Sequence, residues 1–210
     1  MKERPIIFNT TMVKAIVEGR KTQTRRILKK QPPEYLTRHC WYSTSTYGFT
    51  DQPSPAFKWW KIKSPFGQVG DQIWVRETFC MGTIEEEDHY LGYPKPLYVH
   101  QDGDPKQYPI YKEWCLREGI SFEDVQWLSP VHMARSACRL VLEITNIRVE
   151  KLLSISEQDC MKEGIGSPLL RNCKKPKFMQ SWEEIYGEGA CLDNPWVWVI
   201  EFKVVQGGET

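Results

Sequence analysis

A chain of 210 residues with a formal net charge of +1 suits one large domain or two small ones, and can bury a core. Its 40% hydrophobic and 26% charged residues are ordinary for a soluble globular protein, and its near-zero charge argues against binding along extended nucleic acid. No apolar run approaches the ~20 residues of a transmembrane helix, and "MKERPIIFNTT" lacks the features of a signal peptide, so we expect a cytoplasmic protein with no membrane partner.

The first predicted element is a short helix followed by a basic segment. Asn9, Thr10 or Thr11 can cap this helix, and its apolar stripe comprises Met12, Val13, Ile16 and Val17. Gly19 is a typical helix stop. Six of the eleven residues from Arg20 to Lys30 are Lys or Arg. These cations therefore lie on a turn and the strand that follows it, where they form either a solvated face or a site for an anionic ligand.

Two long excursions flank a central strand signal. Residues 31–70 have weak periodicity, with one strand predicted in "FKWWKIK". "GQVGDQIWVRETF" then predicts a turn and a strand in which Ile73 and Val75 alternate with Trp74 and Arg76. Residues 81–135 form the second excursion, which contains an acidic run and a short helix near "YKEWCLREG".

The last third of the chain has clearer patterns. "CRLVLEITNIRVEKL" alternates as a strand, and "SISEQDCMKEGI" predicts a helix capped by Ser156 and ended by Gly164. "KFMQSWEEIYGE" predicts a helix with Phe178, Trp182 and Ile185 on one side. "WVWVIEFKVV" predicts a closing strand with one face formed by Trp196, Trp198, Ile200 and Phe202.

These elements predict an α+β, β-rich fold: one domain over residues 1–210, built as a small β-barrel or curled mixed sheet with short flanking helices. The two long insertions fall at about 32–66 and 81–135. The cysteines are odd in number and widely spread, and neither they nor the histidines show metal-ligand spacing, so we expect no metal or cofactor and mostly buried, reduced thiols. Cys173 and His89 are among these cysteines and histidines.

Four segments in order, "EGRKTQTRR", "GQVGDQIWVRE", "SISEQDCMKEGI" and "WVIEFKV", resemble the ASCH domain family of the PUA-like superfamily, closest to its larger phage- or prophage-encoded members. The resemblance covers about half of the chain. It implies a PUA-like barrel and a pocket for RNA or a modified nucleoside. This family includes a bacterial enzyme that hydrolyses the amide of N4-acetylcytidine, and proteins reported to cut RNA.

The resemblance also implies site residues. The family motif G-x-K-T-x-T-x-R places its catalytic Lys at Lys21, its Thr at Thr24 and its terminal Arg at Arg26, and the Glu of the later helix at Glu163. The chain is about twice as long as the small amidohydrolase, so its insertions can reshape the pocket.

The chemistry of these residues sets two conditions. A Thr nucleophile needs a base, and Lys21 serves only if burial or nearby cations lower its pKa from ~10.4. Glu163 is then either an acid or orienting group near the leaving group, or a proton-sharing partner of Lys21. In a regular strand Lys21 and Thr24 point to opposite faces, so they converge only if residues 19–23 form a turn or bulge.

Further residues are candidates for substrate contacts. Arg25 or Arg26 can bind phosphate, Glu77 can face the barrel mouth, and an aromatic residue such as Trp59, or one from "WYSTSTYGF", can stack on a base. The preferred function is amide hydrolysis on an acylated pyrimidine nucleoside. The alternatives are a non-catalytic RNA-binding module and a ribonuclease in which Lys21 stabilises the phosphorane. The sequence does not determine the oligomeric state.

Overall fold

The computed structural model describes residues 1–36, 38–43, 46–51, 59–86, 97–101, 107–166 and 174–207. His89 and Cys173 lie outside these ranges. In chain order the elements are β1 (Glu3–Ile7), α1 (Thr10–Val17), β2 (Gln23–Ile27), β3 (Arg38–Ser43), β4 (Thr46–Thr50), β5 (Trp60–Lys63), β6 (Gln72–Arg76), β7 (Phe79–Glu86), β8 (Leu97–His100), β9 (Tyr108–Tyr111), α2 (Lys112–Glu118), β10 (Val141–Lys151), α3 (Glu157–Lys162), α4 (Lys174–Tyr186) and β11 (Trp196–Gln206). Short 3₁₀ helices span Pro130–His132, Arg135–Ala137 and Leu152–Ser154.

The central sheet has five strands in the order β1-β6-β10-β11-β2. β1 pairs with β6 in parallel, and the other neighbours are antiparallel. The expected α+β, β-rich class is confirmed. The expected closed barrel is not seen among the described strands, because no backbone ladder joins β1 to β2 there. Instead, a side chain of β2 reaches the other edge: Arg26 Nη2 donates to the carbonyl of Ile7 at 2.6 Å.

The two faces of β11 lie in different cores, as its alternation predicts. Trp198, Ile200 and Phe202 lie in the main core with α1 and the inner faces of β1, β6 and β10. Val197 and Val199 face the opposite way and pack with Phe178 and Trp182 of α4. The predicted helix thus covers the back of the sheet.

The first excursion contains more structure than its sequence suggests. The strand in "FKWWKIK" is confirmed as β5, but β3 and β4 were not predicted, and the three strands form one antiparallel sheet in the order β3-β4-β5. Leu36, Tyr47 and Phe49 are buried in the same cluster as Trp198. This insertion is therefore part of the main core and not a separate appendage.

The second excursion has a small core of its own. Its predicted helix is confirmed as α2, and an unpredicted sheet in the order β8-β7-β9 accompanies it. Cys80, Val99, Ile110, Cys115 and Ile120 form the buried cluster of this insertion. In the part of the chain that the structure describes, no helix has the length and apolar character needed to cross a bilayer.

Candidate active site

The turn after α1 places Lys21 beside the end of α3. Asn9 caps α1 by accepting a hydrogen bond from the Met12 amide at 2.9 Å, and Gly19 ends the helix with φ +70°. The amides of Arg20 and Lys21 both return to the carbonyl of Ala15, at 2.9 and 2.8 Å, so the chain reverses tightly. Lys21 then bridges to Glu163 in an antiparallel sense. The predicted turn is confirmed.

A buried ion pair joins Lys21 and Glu163. Lys21 Nζ lies 2.7 Å from Glu163 Oε2 and donates a second hydrogen bond to the Glu163 carbonyl at 3.0 Å. The Lys21 side chain has 0% exposure and that of Glu163 has 6%. Burial lowers the pKa of the Lys21 amine below its ordinary value, although the adjacent carboxylate raises it in part. Of the two positions expected for Glu163, the structure has the one beside Lys21.

A second cation, Arg25, holds the other oxygen of Glu163. Its Nη1 lies 3.2 Å from Glu163 Oε1, and its Nη2 lies 3.2 Å from Glu150 and 3.5 Å from Asp159. The Arg25 side chain is fully buried. Both oxygens of Glu163 are thus fixed by separate cations, and Arg25 is engaged inside the fold.

A cavity of about 220 Å³ adjoins this pair. Lys21, Thr24, Arg25, Arg26 and Glu163 all line it. Successive side chains of β2 point to opposite faces, but β2 is the edge strand of the sheet, and a cavity at that edge contacts both faces. Lys21 and Thr24 therefore meet at one cavity, as the turn allows. Among the described residues, however, no hydrogen bond joins the Lys21 amine to the Thr24 hydroxyl.

A further wall of the cavity comes from α4, for which the sequence predicted only a shared helix face. Phe178, Trp182, Ile185 and Tyr186 line this wall. Phe178, Trp182 and Ile185 share one side of the helix as predicted, with Phe178 and Trp182 buried and Ile185 45% exposed. Tyr186 packs on Trp182, with ring centroids 4.3 Å apart. Helical spacing indicated Phe178, Trp182 and Ile185 but not Tyr186, and spacing alone does not distinguish a core face from a cavity wall.

The structure places two candidate substrate contacts away from this cavity. Glu77 is buried and accepts two hydrogen bonds from Arg139, at 3.0 and 2.9 Å, so it does not face an opening. Burial raises the pKa of Glu77, and Arg139 opposes this effect. Arg139 also binds Glu113 of α2 at 2.8 Å. Glu77 is thus a structural link between the sheet and the second insertion.

Trp59, the other of these two candidates, is half-buried and packs on Gly48. A Cβ atom at Gly48 would lie 2.7 Å from Cε3 of Trp59, so the ring covers the strand closely. This contact keeps the Trp59 side chain on β4, away from the cavity. Of the stacking candidates in "WYSTSTYGF", Tyr47 is buried in the main core, and the side chains of Trp41 and Tyr42 lie outside the described part of the molecule.

Metal-ligating side chains do not converge at this site. Within the described ranges no three His, Cys, Asp or Glu residues form a group suited to a metal ion. The six described cysteines are free thiols, and only Cys40 among them is exposed. Besides the side chains described above, the polar residues that line the cavity include Asn9, Thr11, Ser181 and Glu184.

Comparison of the chain with known protein families, with curated proteins and with solved structures found no match.

Proposed function

We propose that this chain is an ASCH-type, PUA-like amidohydrolase that acts on an acylated pyrimidine nucleoside in the cavity at the edge of β2. The observation that carries the proposal is the Lys21–Glu163 pair, 2.7 Å apart and buried, on the same cavity as Thr24. These are the residue types that the motif resemblance implies for amide hydrolysis. The link from Arg26 to Ile7 supports a curled, PUA-like sheet, because it brings the two sheet edges together.

The pair can move protons in both directions during amide hydrolysis. The scheme starts from the form in which the proton shared by the pair lies on Glu163, and burial of Lys21 favours its free amine. The Lys21 amine accepts the hydroxyl proton of Thr24 as Thr24 Oγ1 bonds to the amide carbon. Glu163 then donates its proton to the departing nitrogen as the carbon–nitrogen bond breaks.

Water completes the reaction and restores the pair. Glu163, now a carboxylate, removes a proton from water as the water oxygen attacks the acyl ester on Thr24. Lys21 returns its proton to Thr24 Oγ1 as the ester bond breaks. The net reaction consumes one water and yields a carboxylic acid and the free amine of the base. Formation of the Lys21–Thr24 hydrogen bond on substrate binding is a requirement of this scheme.

The size of the cavity and its internal ion pairs favour a small ligand over RNA. At about 220 Å³ it exceeds the ~150 Å³ apolar cavity that holds benzene, which suits one substituted ring. A groove for RNA needs cations directed outward, but Arg25 is bound to three carboxylates and Arg26 to the Ile7 carbonyl. The RNA-binding and ribonuclease hypotheses therefore receive less support than hydrolysis of a nucleoside amide.

The test is release of cytidine and acetate from N4-acetylcytidine, with a short labelled RNA assayed in parallel. We expect turnover by the wild-type protein and at least a ~100-fold loss in Lys21→Met, because a general base contributes about that much or more. Thr24→Val should lose the same activity. Lys29→Met is the matched control, since Lys29 is an exposed cation of the same basic stretch, and it should retain full turnover.

Two outcomes would contradict the proposal. Equal turnover by wild type and a folded Lys21→Met protein would exclude Lys21 from the chemistry. Cleavage of the RNA without release of acetate, lost in Lys21→Met, would favour the ribonuclease. Thermal unfolding of each variant separates loss of activity from loss of the fold.

A further inference from the structure

Arg25 occupies a position that the family motif leaves variable. In G-x-K-T-x-T-x-R it is the residue between Thr24 and Arg26, so the resemblance gives it no role. Its side chain is nevertheless fully buried, with Nη1 3.2 Å from Glu163 Oε1. Burying a guanidinium is unfavourable unless carboxylates compensate its charge. A buried cation in contact with the proposed acid therefore points to a role that the motif does not describe.

Lys21 and Arg25 contact Glu163 from two different cores. Lys21 Nζ lies 5.7 Å from the centroid of the Phe8 ring, in the main core. The guanidinium carbon of Arg25 lies 6.0 Å from the centroid of the Phe178 ring, in the core that α4 forms with the sheet. Each oxygen of the Glu163 carboxylate faces one of these cations. The carboxylate therefore cannot turn without breaking one of the two contacts.

Two further carboxylates fix Arg25 through its second terminal nitrogen. Arg25 Nη2 lies 3.2 Å from Glu150 and 3.5 Å from Asp159. Both acids also bind Arg148, and the Asp159 contact is 3.4 Å long. A guanidinium can serve three carboxylates because its fork presents donors in fixed directions, whereas an ammonium is a compact point charge. The anchored fork keeps Nη1 directed at Glu163.

The charge of Arg25 affects how many protons the pair holds. In the proposed scheme Lys21 and Glu163 exchange one proton between them. A second proton leaves Lys21 without a free amine, and loss of the only proton leaves Glu163 unable to donate. A fixed positive charge disfavours the first change and favours the second, so it moves both changes to lower pH.

The Lys21 amine shows this effect of neighbouring charge. Burial is the main cause that lowers its pKa, and Glu163 opposes that effect. The positive charges of Arg26 and Arg25 lower the pKa further. Arg26 donates to the Ile7 carbonyl, whereas Arg25 contacts Glu163. Arg25 is therefore the cation that acts on both members of the pair.

We infer that Arg25 is a positioning residue of the site: it holds Glu163 against Lys21, and its charge sets the pH range in which the pair carries a single proton. This inference rests on the proposed function for the part that the pair plays in turnover. Arg25 acts through Glu163 and exchanges no proton itself. The other charged side chains near the pair are Arg26 of β2, Arg148 and Glu150 of β10, Asp159 of α3, Glu184 of α4 and Glu201 of β11.

The first test is the pH dependence of N4-acetylcytidine turnover by Arg25→Gln. Without the charge, the pair takes up a second proton more easily and loses its only proton less easily. Both limbs of the kcat/KM profile should therefore move to higher pH by about 1–3 pH units. A residue that only stabilised the fold would lower the profile without moving its limbs. Arg135→Gln is the control, because Arg135 pairs with Glu3 at the surface and does not line the cavity, and its limbs should match the wild type.

Arg25→Lys separates the charge from the geometry. It keeps a positive charge but cannot hold Glu163, Glu150 and Asp159 together. We expect limbs at the wild-type pH and a maximum rate about ten- to hundredfold lower, because Glu163 is less well directed. Limbs that move as far as those of Arg25→Gln would overturn the inference, since the charge would then not set the pH range.

Glu150→Gln is a second variant, for the case in which Arg25→Gln does not fold. The Glu150 side chain is 26% exposed, so its charge is easier to remove than that of the buried Arg25. Loss of a negative charge beside Arg25 acts in the opposite direction, and both limbs should move to lower pH. Unchanged limbs in a folded Glu150→Gln protein would overturn the inference.

An NMR titration tests the pair independently of turnover. The ¹³C signals of Lys21 Cε and Glu163 Cδ, identified by their absence from Lys21→Met and Glu163→Gln, report protonation of the pair against pH. In Arg25→Gln both midpoints should lie at higher pH than in the wild type. Higher midpoints in a protein that does not hydrolyse N4-acetylcytidine would support the role of Arg25 and contradict the hydrolase. Turnover with unmoved midpoints would do the reverse.

Discussion

At the scale of single residues, the site depends on charges that are buried together. An isolated buried ammonium or carboxylate is strongly unfavourable, so Lys21 and Glu163 are tolerated because each has a partner within hydrogen-bond distance. Arg25 adds a second cation at 3.2 Å from Glu163. Removal of one partner leaves an uncompensated charge. The packing around Lys21 has to keep its amine within reach of Glu163.

Gly164 provides a test of that packing. It has φ +84°, and a Cβ atom there would lie 2.9 Å from Ala15 Cβ and 3.1 Å from Lys21 Cβ. Gly164→Ala should therefore displace Lys21 and lower turnover of N4-acetylcytidine at least tenfold. It should also reduce the free energy of unfolding by about 1–3 kcal/mol, from backbone strain. Activity assays and thermal unfolding measure the two effects.

Gly119→Ala is the matched control for Gly164→Ala. Gly119 has φ +69°, but nothing lies within 4 Å of its Cβ position. This variant should show the backbone strain without the loss of turnover. Equal turnover in the two alanine variants would mean that Gly164 does not position Lys21.

At the scale of elements, α3 is a short helix that presents Glu163 to the cavity. Ser156 and Asp159 form a reciprocal capping box at its start. Burial opposes ionisation of Asp159, but hydrogen bonds from Ser156 hold the pKa of this carboxyl below its ordinary value. Asp159 also lies 3.5 Å from Arg25 and 3.4 Å from Arg148. The cap thus connects the start of the helix to the cation that holds Glu163.

Ser156→Ala tests this connection. Loss of an N-cap hydroxyl costs about 1 kcal/mol of stability, which corresponds to a fall in melting temperature of about 2–4 °C. Because Asp159 is less well fixed, we also expect a partial loss of turnover, smaller than that of Lys21→Met. Ser154→Ala is the control, since Ser154 is exposed in the preceding 3₁₀ turn. Unchanged stability in Ser156→Ala would argue against the capping role.

The elements that sequence predicted are those with local signals. The cap at Ser156, the stop at Gly19 and the alternation in β11 depend on neighbouring residues alone, and the structure confirms each one. β3, β4 and β7–β9 lack such signals, because their stability depends on partners elsewhere in the chain. The cavity wall formed by α4 was missed for a related reason: helical spacing predicts a shared face, and only the fold shows that this face borders a cavity.

At the scale of the whole molecule, the two insertions are attached differently. The first shares the main hydrophobic core through Tyr47 and Phe49. The second has its own core, and a buried cluster of Arg139 with Glu77 and Glu113 connects it to the sheet. Weak periodicity set both segments apart in the sequence, but burial depends on contacts far apart in the chain. Glu77 therefore looked like a site residue and proved to be a link between two parts of the fold.

The N-terminal strand is also held by distant contacts, and these predict how stability depends on pH. Asp71 accepts hydrogen bonds from the Lys2 amide at 2.9 Å and from Arg4 at 3.3 Å, beside the parallel pairing of β1 with β6. The Lys2 amide, with smaller contributions from the Gln68 amide and Arg4, holds the pKa of Asp71 below its ordinary value. The ionised carboxylate therefore stabilises the fold fully above ~pH 3.9. That contribution disappears as the pH falls through the lower folded-state pKa.

Asp71→Asn should remove this pH-dependent contribution. At neutral pH we expect the variant to be less stable by about 1–2 kcal/mol, since charged hydrogen bonds at β1 are lost. As the pH falls below ~3.9, the wild type should lose stability faster than the variant, so the difference between them narrows. Urea unfolding from pH 7 to ~pH 2.5 measures the difference in the free energy of unfolding between the two proteins. Asp193→Asn is the control, because Asp193 is exposed. A difference that stays constant over this range would mean that Asp71 acts through its shape and not through its charge.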